Sequence, residues 1–161
     1  MDGTAGNGHD TLFLANLVGR EGCVYAFDLQ KTAIDNTKRL LEKNGLEARV
    51  KLHCCDHRQI SAFVPGLVQA GMFNLGYLPG GDKTLVTQAA TTVAALSSCL
   101  EILAPGGIIS VVTYSGHPGG REEEEAVAAW GQRLNPKDYT VSCFRLVNKA
   151  NNPPRLWLIK A

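Results

Sequence analysis

The sequence predicts one α/β domain over residues 1–161. A mostly parallel sheet should carry helices on both faces and end in an antiparallel hairpin. Three observations predict it. Short β-rich runs alternate with helix-length segments along the chain. A glycine-rich segment, Asp2 to Asp10, opens a helix, and the acidic Asp28 ends the next apolar run. The last two β-rich runs are separated only by the turn-rich KANNPPR, with no helix between them, so they should pair antiparallel.

In chain order, Thr11 to Val18 reads as a helix opened by the glycine segment, and Cys23 to Asp28 (CVYAFD) as a buried strand. Gln30 to about Asn44 is an amphipathic helix, with Ala33, Ile34, Thr37, Leu40 and Leu41 on one face and Gly45 as its stop. Val50 to Cys54 is a second strand, and Ala70 to Leu75 a weaker third. Thr84 to about Leu103 is a long apolar helix ended by Pro105, Gly106 and Gly107. Ile108 to Tyr114 is a central strand. Glu122 to Leu134 is a helix whose four leading glutamates suit its positive N-terminal dipole. Tyr139 to Leu146 and Leu156 to Lys160 form the closing hairpin. A loop such as Asp2 to Asp10 normally follows a buried strand, yet only Met1 precedes it. The first strand is therefore expected to be missing or truncated, which would leave its neighbours without a ladder partner.

Composition narrows the function classes. A formal net charge of +1 excludes a global basic field, so any nucleic-acid contact must be local. No apolar run reaches the roughly 18 residues of a membrane span, and no signal-type leader is visible, so no membrane association is expected. The five cysteines form no CxxC pair, which points to free, mostly buried thiols in a reducing compartment and to no metal site.

Six segments carry candidate chemistry. In Asp2-Gly3-Thr4-Ala5-Gly6-Asn7-Gly8-His9-Asp10 the glycines let the backbone turn sharply and approach a ligand, and the following helix offers free N–H groups. Asp28 lies twenty residues after Gly8 at a strand end, where a carboxylate can accept from both ribose hydroxyls; capping the next helix is the competing role. Thr11 stands where a dinucleotide fingerprint has its third glycine, which disfavours a nicotinamide cofactor. Asp56 and His57 follow the next strand, where the first could hold an adenine amino group and the second pack beside the ring. Asn74 to Asp82 ends the fourth strand position, where a substrate would meet a nucleoside cofactor. There Asn74 could accept amine hydrogens and Tyr77 could stack on a base. Tyr114 to Gly120 is longer than a minimal connection, and His117 in it is a candidate base or substrate contact. Finally, Lys137, Arg145, Lys149, Arg155 and Lys160 face only Asp138 in the C-terminal segment, as a phosphate-binding or simply solvated surface.

Together GNGHDT, FDLQ, NLGYLPGGDK, the GHPGG loop and NNPP resemble one family over essentially the whole chain. It is the small methyltransferase family long labelled "putative rRNA methylase", whose characterised bacterial members are tRNA 5-aminomethyl-2-thiouridine methyltransferases. The resemblance implies a Rossmann-like class I methyltransferase fold and S-adenosyl-L-methionine as cofactor. It implies methyl transfer to the aminomethyl nitrogen of a modified wobble uridine, with tRNA as partner. Asp2, Gly6, Asn7, Gly8, His9 and Asn74 would contact the cofactor, Asn7 and His9 at its methionine end. Asp28 and Gln30 would hold the ribose and adenine edge, Asp56 and His57 would flank the adenine, and Asn74, Tyr77 and the GHPGG loop would face the target nucleotide.

Direct displacement at an activated sulfonium needs mainly positioning of a neutral amine. An alkylamine is largely protonated at neutral pH, so a proton acceptor is required, and Asp10 and His117 are the candidates. Methylation of rRNA or of a small molecule is the alternative enzyme reading, and a non-catalytic RNA- or partner-binding module the alternative of another class. A homodimer is a candidate assembly. The cytoplasm is the expected compartment, or an organelle matrix or stroma in a eukaryote.

Overall fold

The structure is a computed structural model that describes residues 1–81 and 86–161. Its elements are α1 (His9–Leu17), β1 (Val24–Asp28), α2 (Lys31–Asn44), β2 (Val50–Cys54), α3 (Ile60–Phe63), β3 (Val68–Asn74), α4 (Ala89–Glu101), β4 (Leu103–Thr113), α5 (Gly120–Arg133), β5 (Thr140–Arg145) and β6 (Arg155–Lys160).

The strands lie in the order β2-β1 and β3-β4-β6-β5, and the N-terminal residues join the two groups. Asp2 bridges Ala26 of β1 on one side and Met72 of β3 on the other, both in parallel. The Asp2 N–H donates to the Tyr25 carbonyl at 2.8 Å, and the Asp2 carbonyl accepts from Phe27 at 2.9 Å. On the other side Gly3 N–H donates to the Met72 carbonyl at 2.8 Å, and Met72 N–H to the Met1 carbonyl at 3.0 Å. The first strand is thus the truncated form of the expectation: three residues that satisfy backbone groups on both neighbours.

β6 alone runs antiparallel, to β4 on one side and β5 on the other, which is the predicted closing hairpin. The core lies on both faces of the sheet. Leu14 and Ala15 of α1 and Leu41 of α2 pack with Val24 and Leu46 on one face. Ile60, Leu96, Cys99, Val127 and Trp130, from α3 to α5, cover Phe27, Phe73, Ile109 and Val111 on the other. Phe27 and Phe73 are fully buried, and truncating either to alanine would cost about 3–5 kcal/mol.

Four expectations change. The predicted helix start at Thr84 lies outside the described residues, and α4 begins only at Ala89. The preceding Val86 is bridged to Tyr77, and the Thr87 N–H donates to the Gly76 carbonyl at 2.9 Å, so this stretch is held extended. β4 starts at Leu103, before the Pro-Gly-Gly turn, because Leu103 pairs with Val68 and the ladder resumes at Ile108 opposite Ala70. The residues between are accommodated as an irregularity in the pairing. The glutamates of α5 do more than suit a dipole: Glu123 and Glu124 are buried acceptors. Lastly, all five cysteines are free, but Cys99 alone is buried; Cys23, Cys54 and Cys143 are exposed.

Candidate active site

Parallel strands that all end on one edge place their following loops together. A cleft of about 880 Å³ opens there, between the Gly3–Asn7 loop and the ends of β1, β2, β3 and β4. That volume suits a nucleoside-sized ligand with room for a second group.

The glycine loop is tied down from below. Asp2 is 1% exposed and its carboxylate accepts from the Thr4 N–H at 3.0 Å and from the Thr11 hydroxyl at 2.5 Å. Burial raises this carboxyl to about 6, against the lowering effect of those two donors. Gly8 has φ 86, and a Cβ there would lie 2.8 Å from the Thr37 Cα, so only glycine lets α2 approach this closely. Asp2 and Gly8, both expected to touch a cofactor, therefore do not line the cleft; they anchor the loop that does. Gly6, also left-handed at φ 54, does line it, and a Cβ there would meet nothing closer than 3.8 Å.

Asp28 sits at the end of β1 on the cleft wall. Its Oδ2 accepts the Gly6 N–H at 2.9 Å and its Oδ1 the Gln30 N–H at 2.8 Å. Each oxygen keeps a lone pair for a ligand. It does not cap α2: Gln30 occupies that position, with no side-chain cap. Gln30 itself lines the cleft, as do Asn7 and His9. Asn7 is fixed at both ends, its amide donating to the Pro79 carbonyl at 3.1 Å and its oxygen accepting from Asn36 at 2.9 Å.

Asp56 and His57 line the same wall after β2. Arg58 takes much of the Asp56 carboxylate, through its backbone N–H at 2.9 Å and its guanidinium at 2.9 and 3.1 Å. That hydrogen bonding holds the Asp56 carboxyl below its ordinary value. His57 Nδ1 lies 3.3 Å from the Gly3 carbonyl, which requires it to be the protonated nitrogen, and burial lowers the imidazole's pKa.

Asn74 ends β3 facing the glycine loop. Its backbone N–H donates to the Thr4 hydroxyl at 2.7 Å, and its amide reaches Asp10 at 3.5 Å. Tyr77 and His117 meet edge to face, with ring centres 6.2 Å apart. His117 Nδ1 lies 3.0 Å from the Pro118 carbonyl, so it donates there, and Nε2 is the unprotonated nitrogen of the neutral ring. That Nε2 is buried and, among the described residues, has no hydrogen-bond partner. The structure thus gathers Asn74, Tyr77, His117 and Asp10 around one cleft. Asp82 and Lys83, which close the NLGYLPGGDK segment, lie outside the described residues.

The sequence missed the supports. Glu123 accepts from Thr87 at 2.8 Å and from Thr92 at 2.5 Å, and the Thr87 hydroxyl accepts the Gly76 N–H at 2.8 Å. A buried carboxylate on α5 thereby holds the loop after Asn74. The one available signal was that a run of four glutamates exceeds what a helix dipole needs.

This strand order, with one antiparallel strand and a cleft behind a glycine loop, defines a Rossmann-like class I methyltransferase fold. The sequence comparisons are more particular. The chain belongs to the family described as "Putative rRNA methylase", whose model matches residues 24–160. A Clostridium thermocellum protein of the same description superposes with TM-score 0.97 at 44% identity, covering 99% of this chain and 86% of that one. A Streptococcus mutans protein described as "a putative methyltransferase", solved in complex with SAH, superposes with TM-score 0.90 at 37% identity, covering 99% of this chain and 85% of that one. Among curated proteins, the chain is 42% identical to the Arabidopsis thaliana "tRNA (mnm(5)s(2)U34)-methyltransferase, chloroplastic" over 99% of its own length. It spans 62% of that relative.

Proposed function

We propose that this protein transfers a methyl group from S-adenosylmethionine to the 5-aminomethyl nitrogen of the wobble 2-thiouridine of tRNA. The observation that carries the reading is the placement of Asp28 and Asn74 on one cleft, the first oriented by the Gly6 and Gln30 N–H groups, the second beside Asp10. The curated relative, named for this reaction, supports the choice of acceptor.

The residues fit the cofactor. Asp28 offers two fixed acceptors to a ribose diol, and the Gly6 position leaves the loop surface open. Gln30, Asp56 and His57 flank the space for the base; Asn7 and His9 flank the space for the amino-acid end. Asp2 and Gly8 act on this site only through the loop they hold. Bound S-adenosylmethionine supplies an activated methyl on a sulfonium. The chain's own task is to present a neutral amine to it. Asn74 Oδ1 accepts an amine hydrogen and so orients the nitrogen lone pair. Tyr77 provides a face for the modified base. His117 Nε2, an acceptor kept away from water, takes the proton that the amine must lose, and Asp10 holds the Asn74 amide in place.

The test is incubation with labelled S-adenosylmethionine and tRNA carrying the aminomethyl group, followed by nucleoside analysis. Label in the wobble nucleoside is expected. Label in rRNA alone, the target that the family description names, would transfer the reading to that substrate. Binding of S-adenosylhomocysteine without methylation of any RNA would sink both. The outer strand β5 has an unpaired edge among the described residues and exposes Phe144, which supports a homodimer. Light scattering at twice the 17.3 kDa chain mass checks that. The cytoplasm or, in a eukaryote, an organelle stroma suits the free thiols. No helix among the described residues is long and apolar enough to cross a membrane.

A further inference from the structure

The loop between β5 and β6 carries a second cavity, of about 400 Å³. Arg145, Lys149 and Arg155 line it, and among the described residues no acidic side chain does. It adjoins the main cleft. Asn152 lines both, and Ser115, on its wall, lies between Tyr114 and Gly116 of the cleft. The turn that shapes it places Asn151 and Asn152 at φ 62 and 50, a left-handed backbone that asparagine tolerates better than most residues.

A second observation is independent of the cavity. Arg145 and Arg155 stand directly opposite each other in the β5–β6 ladder. Like charges in that position repel across a short gap and weaken a hairpin. Arg155 is partly relieved by Glu124 at 3.2 Å. That carboxylate also accepts from the Thr113 hydroxyl at 3.1 Å. Among the described residues, Arg145 and Lys149 have no carboxylate within ion-pair distance. The hairpin therefore carries a concentrated positive charge that its own fold opposes and that an anion would relieve.

We propose that this cavity is a phosphate subsite. It holds a phosphodiester of the RNA strand next to the nucleotide whose base enters the main cleft. The inference rests on the RNA-methylation reading and extends it to substrate binding. A chain of net charge +1 has little long-range attraction for RNA, so local contacts of this kind must fix the strand's register. Arg145 and Lys149 supply the charge, and Arg155, held by Glu124, forms the rigid inner wall.

The experiment measures binding of an anticodon stem-loop RNA across a salt series, for the wild type and for Arg145→Gln, Lys149→Gln and the double variant. S-adenosylhomocysteine affinity is measured on each as a check of the fold. Each substitution is expected to weaken RNA binding several-fold and to reduce the slope of log K against log salt by about one, with S-adenosylhomocysteine binding unchanged. Wild-type RNA affinity and slope in the double variant would overturn the subsite, while continued tRNA methylation would leave the methylation reading standing. If the wild type binds S-adenosylhomocysteine but neither binds nor methylates RNA, that reading fails and the subsite fails with it. A Lys149→Arg variant should retain both affinity and slope, since the role requires charge.

Discussion

The Asp28 carboxylate accepts the Gly6 N–H at 2.9 Å and so clamps the glycine loop to the end of β1. One side chain thereby both shapes the loop and presents acceptors to the cleft. Asp28→Asn replaces one charged acceptor with a donor. Hydrogen bonds to charged groups contribute about 1.5–3 kcal/mol, so S-adenosylhomocysteine affinity should fall ten- to a hundred-fold. Titration calorimetry measures this, and an unchanged affinity would remove Asp28 from the cofactor site.

His117 places a buried Nε2, unpartnered among the described residues, beside the acceptor loop. His117→Gln should lower the methylation rate by about a hundred-fold or more, the usual range for a lost proton acceptor, without weakening S-adenosylhomocysteine binding. Single-turnover kinetics reads the first effect and calorimetry the second. A variant with the wild-type rate assigns the proton to another group.

Asp2 gives a pH signature. Burial raises its carboxyl from 3.8 to about 6, so between those values the native chain keeps a proton that the unfolded chain has lost. The stability this group contributes is present below about pH 4 and declines as pH rises through 6. Asp2→Asn abolishes that decline. Relative to the wild type, the variant should gain roughly 1 kcal/mol between pH 5 and pH 7. Urea unfolding midpoints at the two pH values measure it; equal differences at both would contradict the assignment.

Among the described residues, Glu123 reaches the acceptor loop through Thr87. Glu123→Ala leaves the buried Thr92 hydroxyl and the half-buried Thr87 hydroxyl without their acceptor, at about 1–3 kcal/mol for the buried one. The thermal midpoint should drop by several degrees. Thr87→Val is the milder probe: it removes the Gly76 contact, and KM for tRNA should rise more than the affinity for S-adenosylhomocysteine falls.

Much of the sheet was legible because burial writes a period into the chain. CVYAFD and IISVVTY are apolar runs of strand length, and the structure pairs both. The acceptor segment was legible for another reason: Asn74, Gly76 and Tyr77 form a local pattern that needs no distant partner to be recognised. Misreadings arose wherever a residue's partner is remote in sequence. Propensity alone extends the α4 helix back through Thr87, whose N–H instead donates to the Gly76 carbonyl. Asp2 was assigned to the ligand because its contacts with Thr4 and Thr11 cannot be seen in a glycine motif.

By itself the sequence determined the strand–helix alternation, the antiparallel close and the set of polar residues at the strand ends, since all of these follow from short-range periodicity and composition. The tertiary structure decided which of those residues share a cleft. It made three N-terminal residues serve as a strand and turned Asp2, Gly8 and Glu123 into supports. It also brought Arg145 opposite Arg155. Those outcomes depend on hydrogen bonds and charges between segments tens of residues apart, whose geometry exists only once the sheet has assembled.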